Sequence, residues 1–301
     1  TDKAWQIDAF VAWEPFPSKA VKEGFRVFMK SSDIWPNHPC CVVAYKSGQL
    51  DDGVLEALVW AHVKATRFIS DPENKEKVVE YASQFTGLDR ETVEMALKNI
   101  KYVEYPDENE FKHYYEFLKE SKILKKSVTD VGYSSEDEFF SDFLRKDIYS
   151  SVIRKLEENP EYVPEKMGSI RLGYITADLH HLALYVAIKE GYLNQVFERV
   201  EIKQFPNGVA IMEAFRLGEL DAAYLGGAPA TLKRINDEID VKIVAGVNNE
   251  GSAIIVRGDI NSPKDLAGKT IAIPGFGTVQ DFLMRKVLSE GGLSEAGSKE
   301  R

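Results

Sequence analysis

The chain has 301 residues, of which 44% are hydrophobic and 29% charged, and its formal net charge at pH 7 is −10. These values are typical of an ordinary globular protein whose length allows one large domain or two medium ones, each with its own core. The negative charge is spread along the chain, which argues against nucleic acid or an anionic membrane as the main partner, because both require a basic surface.

The amino-terminal part begins with strand patterns. Residues 7–13 read as a strand that ends at the turn Glu14-Pro15-Phe16-Pro17, a helix is predicted at 18–23, and 40–44 read as a buried strand. From about residue 51 the pattern changes to amphipathic helices with apolar residues at i, i+3 and i+4. We expect these helices, at 54–70, 72–87, 90–99, 108–120 and 135–156, to pack on the outside of a lobe. An independent helical bundle over 51–157 is the alternative.

The second half alternates strands and helices after a polar connection that contains Pro160 and Pro164. Strands are predicted at 170–175, 200–205, 220–225, 241–245, 253–257 and 269–274. Segments with helical spacing of apolar residues, at 182–190, 210–217 and 280–289, lie between or after these predicted strands. This alternation is typical of βαβ units and predicts a mainly parallel sheet.

The two cysteines, Cys40 and Cys41, are adjacent and lack the spacing of a zinc motif. We interpret them as small apolar strand residues, with a reactive thiol near His38 as the alternative. The adjacent histidines His180 and His181 invite a metal-binding interpretation. Adjacent residues point in different directions, however, and no third ligand lies near them in sequence, so no metal site and no cofactor are predicted.

Several short motifs carry a resemblance to a known family. In the second half they are Gly173-Tyr174 and the segments 187–193, 218–223, 227–230 and 265–269, and in the first half they are an Ile-Asp-Ala strand, Trp13-Glu14-Pro15 and His38-Pro39. Residues 170–293 resemble the amino-terminal half of the nitrate/sulfonate/taurine class of ABC-importer solute-binding proteins, and 7–43 resemble what normally follows. No single motif is specific, but about eight of them keep a consistent cyclic order.

The resemblance implies an α/β fold of the type 2 periplasmic-binding-protein kind, with two lobes, each a mainly parallel sheet flanked by helices, in circularly permuted order. The smaller lobe would comprise 1–44 and 259–301, and the larger one 170–258 with the helices of 45–157 packed on it. Segment 158–169 would join the former termini, which is plausible because the termini of a domain often lie close together. Compared with the family pattern, about twenty residues of the smaller lobe are missing around 294–301 and 1–6.

Ligands of parallel sheets bind beyond the carboxyl ends of the strands, where the helices begin. Two glycines, Gly275 and Gly277, and the Thr278 hydroxyl at a helix start make residues 275–280 the best anion site, with Gly277, Thr278, Val279 and Gln280 as its expected ligand-binding residues. The other expected ligand-binding residues follow predicted strands, and they are Trp13, Glu14, Asp178, His180, Gly227, Ala228, Pro229, Asn249 and Ser252.

Some of these assignments have structural alternatives. Asp178 is also placed to cap the following helix, and Glu14 is also a simple turn residue. The small residues Gly227, Ala228 and Pro229 form a binding loop by resemblance, or else a tight turn. Asn249 and Ser252 also fit a polar hairpin turn.

The resemblance implies a monomer that captures a small anionic or zwitterionic ligand outside the cytoplasmic membrane, by hinge closure, and delivers it to the membrane permease of an ABC transporter. The ligand would be taurine-like, a sulfonate, nitrate or a vitamin precursor. No export signal is visible at the start of the chain. The alternative is a biosynthetic enzyme on the same fold, of the thiamine-pyrimidine or menaquinone type. The sequence shows no Ser/His/Asp set and no carboxylate pair with a spacing that indicates a catalytic site.

Overall fold

A computed structural model describes residues 7–297 of the chain. Its strands are β1 (Ala9–Trp13), β2 (Arg26–Lys30), β3 (Pro39–Lys46), β4 (Ile100–Tyr102), β5 (Met167–Ile175), β6 (Phe197–Phe205), β7 (Ala222–Gly226), β8 (Val241–Glu250), β9 (Ser252–Val256) and β10 (Ile271–Ala272). Its helices are α1 (Phe16–Lys22), α2 (Ser31–Ile34), α3 (Asp52–Ser70), α4 (Lys75–Thr86), α5 (Arg90–Leu97), α6 (Glu108–Glu120), α7 (Glu136–Phe143), α8 (Lys146–Glu158), α9 (Leu182–Lys189), α10 (Tyr192–Val196), α11 (Gly208–Arg216), α12 (Gly227–Asn236) and α13 (Val279–Glu290). Short 3₁₀ turns occur at Pro72–Asn74, Leu179–His181 and Pro263–Leu266.

The described strands form two sheets, which confirms the α/β class and gives the molecule two lobes. The larger lobe has the strand order β4-β8-β3-β7-β5-β6, and the smaller lobe has the order β10-β1-β9-β2. The expectation of mainly parallel sheets is wrong, because both sheets are mixed. Among the strands of residues 7–297, only β5 with β6, β5 with β7 and β1 with β10 pair in parallel. The chain runs into β3 and into β9 directly from the other lobe. Because no helical crossover of the kind that parallel neighbours need precedes them, both strands pair antiparallel with their neighbours.

The chain crosses between the lobes twice, through α2 before β3 and at Gly251 between β8 and β9. The predicted lobe boundaries at 44 and 258 are therefore displaced. Strand β3 belongs to the larger sheet and β9 to the smaller one. Gly251 has a φ of +83°, a conformation that side chains with a Cβ rarely adopt. The backbone conformation therefore favours a glycine at this crossing.

The region of residues 51–157 is not an independent bundle. Helix α3 buries Leu55, Leu58 and Val63 in the same core as strands β3, β5 and β8. The helix predicted at 135–156 is divided into α7 and α8, because Leu144 between them pairs with Ile243 of β8. The short strands β2 and β4 lay outside the predicted elements, and β10 is shorter than predicted.

Helix α6 connects the lobes. The hydroxyl of Tyr114 donates to the backbone carbonyl of Gly277, at 2.8 Å. Phe117 meets Phe282 of α13 edge to face, with ring centroids 4.2 Å apart. One of the helices expected on the larger lobe therefore also supports the start of α13 in the smaller lobe.

The predicted connection at 158–169 is shorter in the structure. Helix α8 extends to Glu158, and β5 already begins at Met167. Between them, the carbonyl of Tyr162 accepts a hydrogen bond from the indole of Trp60, at 2.7 Å. The permuted order stays a prediction, and the expectations for residues 1–6 and 298–301 lie outside the described residues.

Among residues 7–297, no helix has the length and apolar character needed to cross a lipid bilayer.

Candidate functional site

A cleft lies where the two sheets face each other, with an empty volume of about 590 Å³ that includes open solvent at its mouth. Both lobes contribute to its lining. The smaller lobe supplies Trp13 from β1 and the segments around Gly275 and Thr278. The larger lobe supplies residues that follow β5, β6 and β7, together with the first residues of β3. The position agrees with the rule that ligands bind beyond the carboxyl ends of parallel strands.

Three helices begin at this cleft. Lining residues at their starts are Asn207, Gly208 and Val209 of α11, Gly226, Ala228 and Pro229 of α12, and Thr278, Val279 and Gln280 of α13. The first backbone N–H groups of a helix have no partner within the helix and carry partial positive charge. The cleft therefore offers three positive helix ends, and none of the described lining residues is a lysine or arginine.

Small residues allow helices α11 and α12 to approach each other closely. A Cβ on Gly208 would lie 2.9 Å from the side chain of Pro229, so α11 and α12 meet where a side chain is absent. The side chain of Asn207 accepts from the N–H of Ala210 and caps α11, at 2.9 Å. Sequence analysis did not select Asn207 or Gly208, although a capping residue after a strand and before an apolar helix is a recognisable signal.

Hydrogen bonds within the predicted anion-binding segment leave only part of it available to a ligand. The N–H of Gly277 donates to the buried carboxylate of Asp281, at 2.9 Å, and is not available to a ligand. The Thr278 hydroxyl donates to the carbonyl of Gly275 and accepts from the N–H of Asp281. Gly277 lies outside the lining, whereas Thr278, Val279 and Gln280 line the cleft.

Asp178 is a buried carboxylate in the lining of the cleft. It precedes the turn Leu179–His181 and accepts from the backbone N–H of His180, at 3.0 Å. Burial raises the pKa of Asp178 to about 7, although the nearby charge of His180 works in the other direction. A cationic group in the cleft would therefore favour the ionised carboxylate, in addition to the charge of His180.

The imidazole of His180 also lines the cleft and is completely buried. Its Nε2 atom lies 3.0 Å from the carbonyl oxygen of Gly251, and its Nδ1 atom faces the thiols of Cys40 and Cys41. Burial opposes the charged imidazolium, but the charges of Cys40 and Asp178 outweigh it and raise the pKa of His180 to about 9.

Both cysteines are buried in β3, as predicted for apolar strand residues, but they also belong to the lining, which was not predicted. Their thiols are free, and the two sulfur atoms lie 4.0 Å apart. A hydrogen bond from Cys41 lowers the pKa of Cys40 against the effect of burial, with His180 contributing, and burial raises the pKa of Cys41. His180, whose Nδ1 atom faces both thiols, is 140 residues from Cys40 in the chain, so no local motif indicates this arrangement.

Trp13 forms an aromatic wall of the cleft, and its indole N–H has no hydrogen-bond partner within residues 7–297. Glu14, which was predicted to bind ligand, lies outside the lining. Its buried carboxylate accepts from the backbone N–H of Ser18, at 3.1 Å, and from the amide of Asn99, at 2.7 Å. Glu14 therefore holds α1, in keeping with its alternative interpretation as a structural residue.

Three further predicted residues also lie outside the lining. Gly227 starts α12 beside Phe111, whose ring would be 2.6 Å from a Cβ at that position. Asn249 lies within β8, where it pairs with Pro39 and Lys101. The hydroxyl of Ser252 accepts from the amide of Gln280, at 2.9 Å, and supports that residue from behind. The structure thus brings together Trp13, Asp178, His180, Ala228, Pro229, Thr278, Val279 and Gln280 of the predicted set.

Comparisons with known proteins identify relatives of the chain. A model of the NMT1-like family matches residues 3–83 and 164–299, which together make up more than half of the sequence. The taurine-binding periplasmic protein of Escherichia coli (strain K12) is 29% identical over 86 residues, which are 28% of this chain and 27% of that protein. The match thus spans about a quarter of this curated relative.

Two solved structures are also similar in part. NikA from Brucella suis, in complex with Fe(III)-EDTA, is 10% identical with a TM-score of 0.32, and the match covers 86% of this chain and 54% of NikA. OppA from Haemophilus influenzae, in complex with the peptide RPPGFSPFR, is 10% identical with a TM-score of 0.32, and the match covers 81% of this chain and 52% of OppA.

Proposed function

Because the chain belongs to the NMT1-like family, we propose that it is a solute-binding component of an ABC importer. It would capture a small zwitterionic or anionic organic ligand, with a taurine-like sulfonate as the leading class. The partner would be a membrane permease, the location extracytoplasmic and the working form a monomer. The observation that carries the proposal is the convergence of three helix N-termini with Asp178 and Trp13 in one cleft between two lobes.

The helix starts support an anionic end of the ligand. The initial N–H groups of α11, α12 and α13 point their partial positive charges at the same space, and such an arrangement binds sulfonate, carboxylate or phosphate without a lysine or arginine. The indole N–H of Trp13, which has no partner in the described part of the chain, adds a donor.

Asp178 and Trp13 support a cationic end. A buried carboxylate without a neighbouring lysine or arginine gains from an ammonium group, and the face of an indole attracts cations as well. An ammonium group and a sulfonate on the same small molecule would satisfy both ends of the cleft. Nitrate would use only one of them, so we expect it to bind more weakly.

Closure of the cleft would occur at the two crossings between the lobes, α2 and Gly251. Hinge bending in two-lobed proteins is absorbed by a few residues at the ends of elements. Helix α6 would limit the movement, since Tyr114 and Phe117 already contact the smaller lobe.

The test is calorimetric titration of protein that has been unfolded, dialysed and refolded to remove any bound ligand. We expect saturable binding of taurine, weaker binding of ethanesulfonate, which lacks the amine, and still weaker binding of nitrate. Trp13→Ala should weaken binding, whereas Phe16→Ala, a partly exposed aromatic neighbour outside the lining, should not.

Mass spectrometry of the recovered ligand separates transport from catalysis. A binding protein returns the ligand unchanged. A ligand recovered as a converted product would contradict the proposal in favour of the enzyme alternative, and failure of all three titrants would contradict the proposed ligand class.

A further inference from the structure

We propose that Cys40, Cys41 and His180 bind a thiophilic transition-metal ion, of the class of Zn²⁺ or Cu⁺, at the inner wall of the cleft. Thiolate and imidazole ligands favour these ions over Mg²⁺ or Ca²⁺, which prefer oxygen. The proposal goes beyond the proposed function and does not depend on the organic ligand of the cleft.

The distances between the donor atoms fit a single ion. The Nδ1 atom of His180 lies 3.5 Å from the sulfur of Cys40 and 3.7 Å from that of Cys41, and the two sulfurs are 4.0 Å apart. Around a tetrahedral ion with ordinary bonds to nitrogen and sulfur, these separations would be about 3.5 to 3.8 Å. Only small movements would be needed to bring the three atoms onto one ion.

The orientation of His180 is suited to binding through Nδ1. Its Nε2 atom donates to the carbonyl of Gly251, at 3.0 Å, which requires a hydrogen on Nε2 whether the ring is neutral or charged. Nδ1 is then the atom that offers a lone pair in the neutral ring. A backbone carbonyl on the second nitrogen is the usual support of a metal-binding histidine. Gly251 permits this contact, since a Cβ there would lie 2.3 Å from Nε2.

The two adjacent thiols reach the same ion because β3 is irregular. Successive side chains of a regular strand point to opposite faces. In β3 the register against β8 shifts between Pro39 and Cys41 and again between Cys41 and Val42. Both sulfurs therefore approach His180. This irregularity explains how two adjacent cysteines, without the spacing of a zinc motif, can bind one metal ion.

Asp178 and His181 lie beside the three donors, outside the ligand set. An oxygen of Asp178 lies 3.6 Å from Nδ1 of His180, and its other oxygen lies 3.8 Å from Nε2 of His181. The Nδ1 atom of His181 accepts from the backbone N–H of Ile175, at 3.1 Å, so its Nε2 carries a hydrogen and cannot bind an ion. His181 is therefore excluded as a ligand, and among residues 7–297 its Nε2 has no hydrogen-bond partner.

The test uses the full chain, reduced and treated with a chelator, and then titrated with Co²⁺ as a spectroscopic probe and with Zn²⁺ and Cu⁺. We expect one ion per chain and a thiolate-to-Co²⁺ charge-transfer band that Zn²⁺ abolishes. Competition with chelators of known affinity separates Zn²⁺ from Cu⁺. The double variant Cys40→Ser/Cys41→Ser and the variant His180→Gln should lose the band, and Asp178→Asn should bind about 10- to 100-fold more weakly.

His113→Gln, a change at an exposed histidine outside the cluster, is the matched control and should keep the band. Should the cysteine variants fail to fold, thiol alkylation of the unaltered protein gives an independent readout, because bound Zn²⁺ should slow it at least tenfold. Absence of the band, or a band that survives in the cysteine variants, would overturn the site. So would alkylation that Zn²⁺ leaves unchanged. Taurine titration of the unaltered, metal-free protein reports on the proposed function separately.

Discussion

The imidazole of His180 donates from Nε2 to the backbone carbonyl of Gly251, at 3.0 Å. This hydrogen bond joins the turn after β5, in the larger lobe, to the residue at which the chain crosses to the smaller lobe. It holds the ring with Nδ1 toward Cys40 and Cys41. The lining of the cleft and the crossing between the lobes are thus connected through one side chain.

Replacing Gly251 should be more costly than replacing a glycine of similar backbone conformation elsewhere. Gly251→Ala adds steric conflict with His180 to the strain of a φ of +83°. Gly218→Ala has a φ of +72° and open space around it, so it should cost only about 1–2 kcal/mol of unfolding free energy. Urea unfolding of both variants checks the difference, and equal losses would show that the contact with His180 is unimportant.

The acid sensitivity of the fold should depend on His62. This buried ring contacts the carbonyl of Gly246, at 2.6 Å, and the hydroxyl of Tyr224, at 3.0 Å. Burial lowers the pKa of His62 to about 4, from 6.5 for the free side chain, so below pH 6.5 the unfolded chain takes up a proton that the native state does not. The stability contributed by the neutral ring is present above pH 6.5 and is lost as the pH falls toward 4, by about 1.4 kcal/mol per pH unit.

His62→Gln should therefore flatten the decrease in unfolding free energy between pH 6.5 and pH 4.5. Urea titrations at several pH values measure it, with the exposed His113→Gln as the control that should leave the slope unchanged. A slope that is the same in the His62 variant would assign the acid sensitivity to other groups.

Glu14 should matter for stability and not for ligand affinity. Its carboxylate accepts two buried hydrogen bonds, from Ser18 and Asn99, and does not line the cleft. Glu14→Ala leaves both donors unpaired and should lower the unfolding free energy by about 1–3 kcal/mol, with little change in the dissociation constant of a cleft ligand. Trp13→Ala should in contrast weaken the binding of a cleft ligand. A large loss of affinity in the Glu14 variant would restore its predicted role as a ligand residue.

The contact between α6 and the smaller lobe should help to hold the lobes together. Tyr114→Phe removes the hydrogen bond to Gly277 and should cost about 0.5–1.5 kcal/mol of unfolding free energy. It should also increase the radius of gyration measured by X-ray scattering. Tyr115→Phe is the matched control, since Tyr115 packs on Phe139 and Phe140 of the larger lobe. An increase of the same size in both variants would mean that the contact does not restrain the lobes.

Local patterns in the sequence determined most of the elements and the part of the site that follows from them. Alternating apolar residues located β6, and a run of mostly apolar residues located β7. Helical spacing located α3 and α13, and the rule for carboxyl ends of strands selected Asp178, Ala228 and Thr278 as lining residues. These features depend on residues that are neighbours in the chain, so their patterns are visible before folding.

Only the tertiary structure decided how distant segments meet. Strands β3 and β9 pair across the crossings between the lobes, which makes both sheets mixed. The buried carboxylate of Asp281 occupies the N–H that was expected to bind an anion at Gly277. The bulged start of β3 turns Cys40 and Cys41 toward His180, 140 residues away. Periodicity cannot report such contacts, because strand pairing, strand bulges and buried side-chain partners are chosen by the packing of the whole chain.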